Sequence, residues 1–156
     1  MSSDIEEAWE AARLNNVETL KKLVPSKVNP NAKRISEANH CHSLLMCAAA
    51  HGSEECAKYL LESGANVDMK NFSGFTALHW AAFTNKVETL DTLIRFGADV
   101  EERTSDGKTA VHIAAYKGNR EFIEAIVKKG ADINAVDSNG WNVLHYTILS
   151  KQCATR

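Results

Sequence analysis

Histidine and cysteine are the residues of this 156-residue chain best able to bind a metal ion or assist catalysis. Residues 40–56 hold three histidines and three cysteines, the side chains that zinc prefers. Cys47 and His51 are four residues apart, so both would lie on one face of a helix. However, no C-x-x-C pair occurs, and His40 and His42 are crowded together in sequence. The pattern therefore favours a polar loop with partly buried thiols over a zinc site, and we predict neither a metal nor a cofactor.

The other three histidines, His79, His112 and His145, are 33 residues apart. If each lies on its own helix in a stack, neighbouring histidines are about 10 Å apart, which is too far for one metal ion to join them. The sequence also contains no nucleophile elbow and no glycine-rich phosphate loop, and its acidic residues are scattered. We therefore predict a structural role for these histidines and expect that the chain is not an enzyme.

The composition is that of one globular domain covering residues 1–156, with 44% hydrophobic residues, 24% charged residues and a net charge of −2. There is no basic stripe that would neutralise phosphates, so we expect no nucleic-acid partner. There is no apolar run of about 20 residues and no secretory signal, so we expect no membrane segment. The four cysteines follow no disulfide framework. We expect a monomeric intracellular protein, cytoplasmic or nuclear, with reduced thiols.

The histidine spacing is part of an internal repeat that other residues share. Gly64, Gly97 and Gly130 are also 33 residues apart, and so are the glycines at positions 74, 107 and 140. A period of this length is typical of a solenoid. Each unit contains two apolar segments with helical spacing, and a glycine ends the second one, where a left-handed conformation is needed. Because one unit cannot bury its own apolar face, stacked units must bury each other's.

Short motifs recur in register with this period. Residues 76–82 read TALHWAA, residues 109–115 read TAVHIAA and residues 130–134 read GADIN. They resemble the ankyrin repeat. The resemblance implies an all-α ankyrin-repeat solenoid, with four to five stacked helix-turn-helix repeats and short hairpin loops. It also implies that each histidine joins the threonine of its own repeat to nearby backbone. We expect repeats at about 4–24, 39–68, 71–101, 104–134 and, in part, 137–150, with an insertion loop at 25–42.

Some repeats depart from this pattern. In the second repeat Met46 stands in the histidine position and Cys41 in that of the turn glycine, which leaves the hydrogen bonding of this repeat open. In the first repeat Trp9 holds the histidine position among glutamates, which suit a terminal repeat with a polar outer face. Asn142 replaces the threonine of the fifth repeat. The insertion loop is basic, and it either carries function or is a tolerated surface insertion.

The last repeat is incomplete. Too few residues follow Leu149 for a full second helix, so we expect either that the parent protein continues beyond Arg156 or that this end frays. An uncovered end would expose Leu144, Ile148 and Leu149. This predicts weak self-association through the C-terminal end.

The first helix of each repeat has an outward face opposite its core alanines. The resemblance implies that this face lines a concave groove beside the hairpin tips. Aromatic residues dominate interface hot spots, so we predict a partner-binding surface there. The alternative is that some rings, Trp80 and Tyr146 above all, fill gaps between repeats. The predicted surface residues are Phe72, Phe75, Trp80, Phe83, Thr84, Lys108, Tyr116, Lys117 and Trp141.

The predicted function is that of a non-catalytic protein–protein interaction module, which presents this concave aromatic surface to a protein partner as the N-terminal scaffold of a larger protein. Lys108 and Lys117 suit a partner of mixed apolar and acidic character. The alternative is a stand-alone ankyrin-type inhibitor of an enzyme such as a kinase, which the length and repeat number resemble. Asn134 stands where ankyrin repeats resemble substrates of an asparaginyl hydroxylase, so hydroxylation there is a further hypothesis.

Overall fold

A computed structural model describes residues 2–35 and 41–154 of the chain. Helices alternate as first and second helices of successive repeats, and two short strands lie in the insertion loop. The first helices are α1 (Ser2–Arg13), α3 (Leu44–His51), α5 (Ala77–Thr84), α7 (Ala110–Lys117) and α9 (Val143–Ala154). The second helices are α2 (Val17–Leu23), α4 (Glu54–Glu62), α6 (Val87–Arg95) and α8 (Arg120–Lys128). The strands are β1 (Lys33–Ile35) and β2 (Cys41–Ser43).

The helices form two parallel rows. Each first helix contacts the first helix of the next repeat, and α2, α4, α6 and α8 contact one another in the same order. The paired alanines of α3, α5 and α7 are fully buried, because small side chains let neighbouring helices approach closely. This arrangement confirms the predicted all-α solenoid. No helix in the described parts of the chain is long and apolar enough to cross a membrane.

The hairpin tips between repeats are stacked on one another. The N–H of Ser105 donates to the carbonyl of Ser73 at 3.1 Å, and Ser138 bonds Asp106 in the same way at 3.1 Å. Gly74 makes this stacking possible: its φ is +77°, and a Cβ atom there would lie 2.6 Å from the nitrogen of Ser105. The predicted glycines of the turn before each first helix all have positive φ, and at Gly74 and Gly107 close packing against the next hairpin requires glycine as well.

The insertion loop contains a two-stranded β-sheet that was not predicted from the sequence. Strands β1 and β2 pair antiparallel, with Arg34 opposite His42. Arg34 also forms an ion pair of 3.2 Å with Glu6 of α1, so the loop folds back against the first repeat. Residues 36–40 of the predicted loop lie outside the described residues.

Helix α9 differs from the other internal first helices. Helices α3, α5 and α7 have eight residues each, and they end at Gly52, Asn85 and Gly118 in the left-handed conformation. One period after Gly118 stands Lys151, and α9 continues through it to Ala154, past the expected boundary at residue 150. Within the described residues, no second helix follows α9.

Candidate functional site

Buried histidines connect one repeat to the next. The N–H of Thr76 donates to Nδ1 of His79 at 2.9 Å. Nδ1 is thus an acceptor, so the ring proton is on Nε2, which donates to the carbonyl of Glu102 at 3.0 Å. His112 makes the same bonds to Thr109 and to a hairpin carbonyl. Burial lowers the pKa of His79 to about 4, so the ring is neutral at pH 7. The predicted structural role is confirmed for His79 and His112. His145 is exposed, and its Nδ1 accepts from the N–H of Asn142 at 3.1 Å within its own repeat.

Met46 performs part of this role in the second repeat. The N–H of Ser43 lies 3.5 Å from Sδ of Met46, and the Ser43 hydroxyl accepts from the N–H of Met46 at 3.2 Å. The two bonds close a capping box at the start of α3. A thioether has no proton to donate, so Met46 cannot hold a hairpin carbonyl as His79 does. The cap of this repeat is therefore kept, but the bond to the next hairpin is not.

The thiols of α3 and α4 are protonated at neutral pH. Burial raises the pKa of Cys47 to about 12 and that of Cys56 to about 11. A protonated thiol is neither a nucleophile nor a metal ligand. Nδ1 of His51 lies 2.9 Å from the carbonyl of Cys47 within the same helix. No cluster of three or more potential metal ligands occurs among the residues that the structure describes, and His40 lies outside them.

Side chains from α5, α7 and α9 and from two hairpins enclose a pocket of about 140 Å³, which we call the central pocket. Phe75 and Phe83 are half-buried in it, whereas Tyr116 is 48% exposed at its edge. Its lining is mostly aromatic and aliphatic, as is common for protein-binding pockets. The lining residues are Phe75, Phe83, Asp106, Lys108, His112, Ile113, Tyr116 and Tyr146.

Tyr146 lines the central pocket. The sequence indicated Tyr146 as a ring of this face that could instead fill a gap between repeats. It is only 5% exposed, and its hydroxyl donates to Oδ2 of Asp137. Burial opposes ionisation of Asp137, but hydrogen bonds from Tyr146 and from the N–H groups of Trp141 and Asn139 outweigh it and lower the Asp137 pKa. Tyr146 is thus held in place by a bond to the hairpin that begins its own repeat.

Two lysines lie over the aromatic rings of the central pocket. The ammonium of Lys117 is 4.5 Å from the ring centroid of Phe83, and that of Lys108 is 5.6 Å from the ring of Tyr146. Both distances are within the range of cation–π attraction. Lys108 is also 3.7 Å from Oδ2 of Asp106, whose side chain is 73% exposed. The pocket therefore combines an apolar interior with a rim that carries positive charge.

A second pocket, the N-terminal pocket, continues along the same face towards the first repeat and encloses about 180 Å³. Trp80 connects it to the central pocket: its ring meets His42 edge-on at 4.9 Å and Phe83 at 5.6 Å. Trp9, which occupies the histidine position of the first repeat, lines it although it is 7% exposed. The sequence did not predict this role for Trp9. The lining residues are Trp9, His42, Met46, Cys47, Ala50, His51 and Trp80.

The remaining predicted surface residues are distributed around these pockets. Trp141 is 38% exposed and stacks on His145 at 5.9 Å. Thr84 is half-buried, and its hydroxyl donates to the carbonyl of Trp80 at 2.9 Å. Phe72 is 70% exposed at a hairpin tip and does not line either pocket. Asn134 is exposed in the hairpin between α8 and α9, and its N–H donates to Oδ1 of Asp132 at 2.8 Å.

Comparison with known families agrees with the observed repeats. The family model described as ankyrin repeats (3 copies) matches residues 8–104 and 85–155, which together cover nearly the whole chain.

Two curated proteins are similar to parts of the chain. The E3 ubiquitin-protein ligase KEG of Arabidopsis thaliana is 34% identical over 83 residues, which is 52% of this chain and 5% of that protein. The protein fem-1 homolog A-like of Mus musculus is 43% identical over 51 residues, which is 33% of this chain and 8% of that protein. The chain thus spans only a small part of the length of these relatives.

Proposed function

Since this chain belongs to the ankyrin repeat family, whose repeats generally mediate protein–protein interactions, we propose that it is a non-catalytic module holding a protein partner on the concave face of its first helices. The observation that carries this proposal is the central pocket, where Phe75, Phe83 and Tyr116 surround free volume beside the buried core. A preformed pocket loses little conformational entropy when a partner binds. A role as the N-terminal scaffold of a larger protein is part of this proposal, and the much greater length of both relatives supports it.

The two pockets indicate the chemistry of the partner. They lie on one face and are joined by Trp80, so a segment with two apolar side chains could place one in each. Lys117 and Lys108 would attract an acidic residue beside the second apolar side chain. The proposed partner is therefore a protein segment of mixed apolar and acidic character, and binding should weaken as salt concentration rises.

Affinity capture from a cell extract tests the proposal. We expect captured proteins to be lost with a Phe75→Ala/Phe83→Ala variant and reduced with Lys117→Glu, which changes only an exposed side chain. The matched control is Phe96→Ala, because Phe96 is 39% exposed and lies outside both pockets. Circular dichroism would establish that each variant is folded. Equal capture by all variants would show that partners bind elsewhere.

Two narrower hypotheses carry their own tests. Inhibition of a purified kinase would favour the alternative function, that of a stand-alone enzyme inhibitor. For either function we propose an intracellular location, in the cytoplasm or in the nucleus. Hydroxylation of the exposed Asn134 would add one oxygen atom to its side chain after treatment with an asparaginyl hydroxylase. Mass spectrometry should detect the added oxygen atom in the chain that carries Asn134 and not in an Asn134→Gln variant. If neither chain gains the oxygen atom, the hydroxylation hypothesis is wrong.

A further inference from the structure

Two buried indole N–H groups have no hydrogen-bond acceptor in the free chain. They are Nε1 of Trp9 and Nε1 of Trp80, and among the residues that the structure describes they are the only buried side-chain nitrogen or oxygen atoms without a partner. An indole N–H can only donate. Unpaired buried donors are rare in native proteins, because burying a donor without an acceptor is unfavourable. An acceptor supplied by another molecule would account for both groups.

Both indoles belong to the same cavity. Trp9 of α1 and Trp80 of α5 line the N-terminal pocket of about 180 Å³, whereas the third tryptophan, Trp141, lines neither pocket. Helix α3 lies between α1 and α5 and supplies Cys47 and His51 to the same lining. The walls come from three successive first helices, so the pocket does not depend on the uncovered end of the stack. The unpaired donors are thus concentrated beside free volume.

The walls of the N-terminal pocket can adjust to an occupant. Trp80 is only partly buried, and its ring contacts those of His42 and Phe83 edge-on, at 4.9 Å and 5.6 Å. The torsion that turns an indole ring about its bond to Cβ is broad, so a rotation of Trp80 costs little. Met46 also lines the pocket, and its thioether side chain changes shape readily. A small rearrangement of these side chains therefore brings a bound acceptor within reach of the indole N–H groups.

The pocket also offers an acceptor beside these donors. Nδ1 of His51 lies 2.9 Å from the carbonyl oxygen of Cys47. A carbonyl oxygen can only accept, so Nδ1 carries the proton of the neutral imidazole and Nε2 is an acceptor. His51 is exposed, so a molecule that enters the pocket can reach its ring. The lining thus combines two donor-only indoles with a neutral nitrogen acceptor.

A primary carboxamide matches this set of groups. Its carbonyl oxygen can accept from both indole N–H groups, and its NH₂ group can donate to Nε2 of His51. A carboxylate fits less well, because the lining, as far as the structure describes the chain, contains no lysine or arginine to balance a buried negative charge. A purely apolar group would leave both indole donors unpaired. Among protein side chains, glutamine and asparagine carry a primary carboxamide at the end of an apolar stem.

We propose that the N-terminal pocket is a recognition site for a glutamine or asparagine side chain of the partner protein. This inference rests on the proposed function, since it names the partner residue that the pocket selects. The apolar stem of that side chain contacts the rings of Trp9 and Trp80, and its carboxamide bonds their N–H groups and His51. The acidic residue of the same partner segment lies at the central pocket, so the two pockets select different residues of one segment.

The test observes the indole N–H groups directly by nuclear magnetic resonance. The isotope-labelled chain contains three tryptophans and should give three indole signals, which the variants Trp9→Phe, Trp80→Phe and Trp141→Phe assign. The probe is propionamide, a primary carboxamide on a short apolar stem. We expect propionamide to shift the signals of Trp9 and Trp80 saturably to higher frequency, as hydrogen bonding does. The signal of Trp141 is the internal control and should not move, since Trp141 lies outside the pocket.

Two probes of the same shape identify the group that binds. Butanone keeps the carbonyl group but has no donor for His51, so it should bind about two- to tenfold more weakly, the factor that one neutral hydrogen bond supplies. Propionate carries a negative charge and should also bind more weakly than propionamide. His51→Leu should reduce the affinity for propionamide to that for butanone. His145→Leu is the matched control and should leave the affinity unchanged, because His145 is exposed outside the pocket.

The proposal is overturned if propionamide leaves the signals of Trp9 and Trp80 unchanged. It is also overturned if butanone or propionate binds as tightly as propionamide, or if His51→Leu does not weaken the binding of propionamide. Capture of partners through Phe75 and Phe83 is measured separately. Failure of propionamide to bind would therefore leave the proposed function in place, whereas failure of capture with propionamide still bound would refute the partner and not the carboxamide site.

Discussion

Nε2 of His79 and the carbonyl oxygen of Glu102 are 3.0 Å apart, so a side chain of one repeat holds the backbone at the beginning of the next. The same hairpin is also held by Lys70, whose ammonium bonds the carbonyl of Arg103 at 3.0 Å and the Glu102 carboxylate at 2.7 Å. The relative position of neighbouring repeats, and hence the shape of the central pocket, thus depends on a neutral buried imidazole.

Protonation of His79 should make the fold sensitive to mild acid. Its pKa is about 4 in the folded protein, and about 6.5 in an unfolded chain. Below pH 6.5 the unfolded state binds a proton that the folded state does not, so the free energy of unfolding falls as the pH is lowered. The slope is about 1.4 kcal/mol per pH unit, which amounts to about 2 kcal/mol between pH 6.5 and 5.

Urea denaturation at pH 7 and pH 5 measures this effect. The fall in free energy should be smaller in a His79→Gln variant, because that side chain does not titrate. His145→Gln is the control, since His145 is exposed, and it should show the same fall as the unchanged chain. An unaltered fall in His79→Gln would assign the acid sensitivity to other groups.

Gly74→Ala should destabilise the fold more than Gly64→Ala. Both glycines have positive φ, at +77° and +95°, so alanine costs about 1–2 kcal/mol in either place. At Gly74 the new Cβ would also lie 2.6 Å from the nitrogen of Ser105, whereas at Gly64 nothing lies within 4 Å. Displacing that backbone adds about 1–3 kcal/mol. Thermal and urea unfolding of the two variants would show equal losses if hairpin stacking were unimportant.

Tyr146→Phe should lower stability by about 1–3 kcal/mol, because the buried carboxylate of Asp137 loses its hydroxyl donor. The ring itself remains, so the shape of the central pocket should be kept and partner capture should persist. Tyr116→Phe is the matched control, and it should have almost no effect since Tyr116 is 48% exposed. A loss of stability in both variants alike would argue against a special role for the Tyr146–Asp137 bond.

Self-association through the C-terminal end remains a prediction. Leu144 and Ile148 are exposed, so they are the side chains expected to form the contact. Sedimentation velocity should show concentration-dependent association at high protein concentration, which a Leu144→Ser/Ile148→Ser variant removes. Both side chains are already largely in water, so this variant should keep its unfolding midpoint within a few degrees. Association that persists in the variant would indicate another contact surface.

More of the fold than of the candidate site could be predicted from the sequence. The helices, the turn glycines and the threonine–histidine caps follow from a short pattern repeated at a constant period, so the copies support one another. The sequence placed Phe75, Phe83 and Tyr116 on the face where the central pocket lies. It left open whether Tyr146 belongs to this face or fills a gap between repeats, and it assigned Trp9 only to the histidine position of the first repeat. The pattern of a single repeat does not show whether an aromatic ring is covered by its neighbours.

By itself, the sequence determined the repeat architecture of this protein, because helical spacing of apolar residues and the need for left-handed glycines are local properties that are visible along the chain. Only the tertiary structure decided how far each residue is covered. Leu78 and Leu144 occupy the same position of the repeat, yet one is 2% exposed and the other 66%, since burial depends on whether another helix follows in the stack. The two pockets likewise exist only because residues distant in sequence meet across neighbouring repeats.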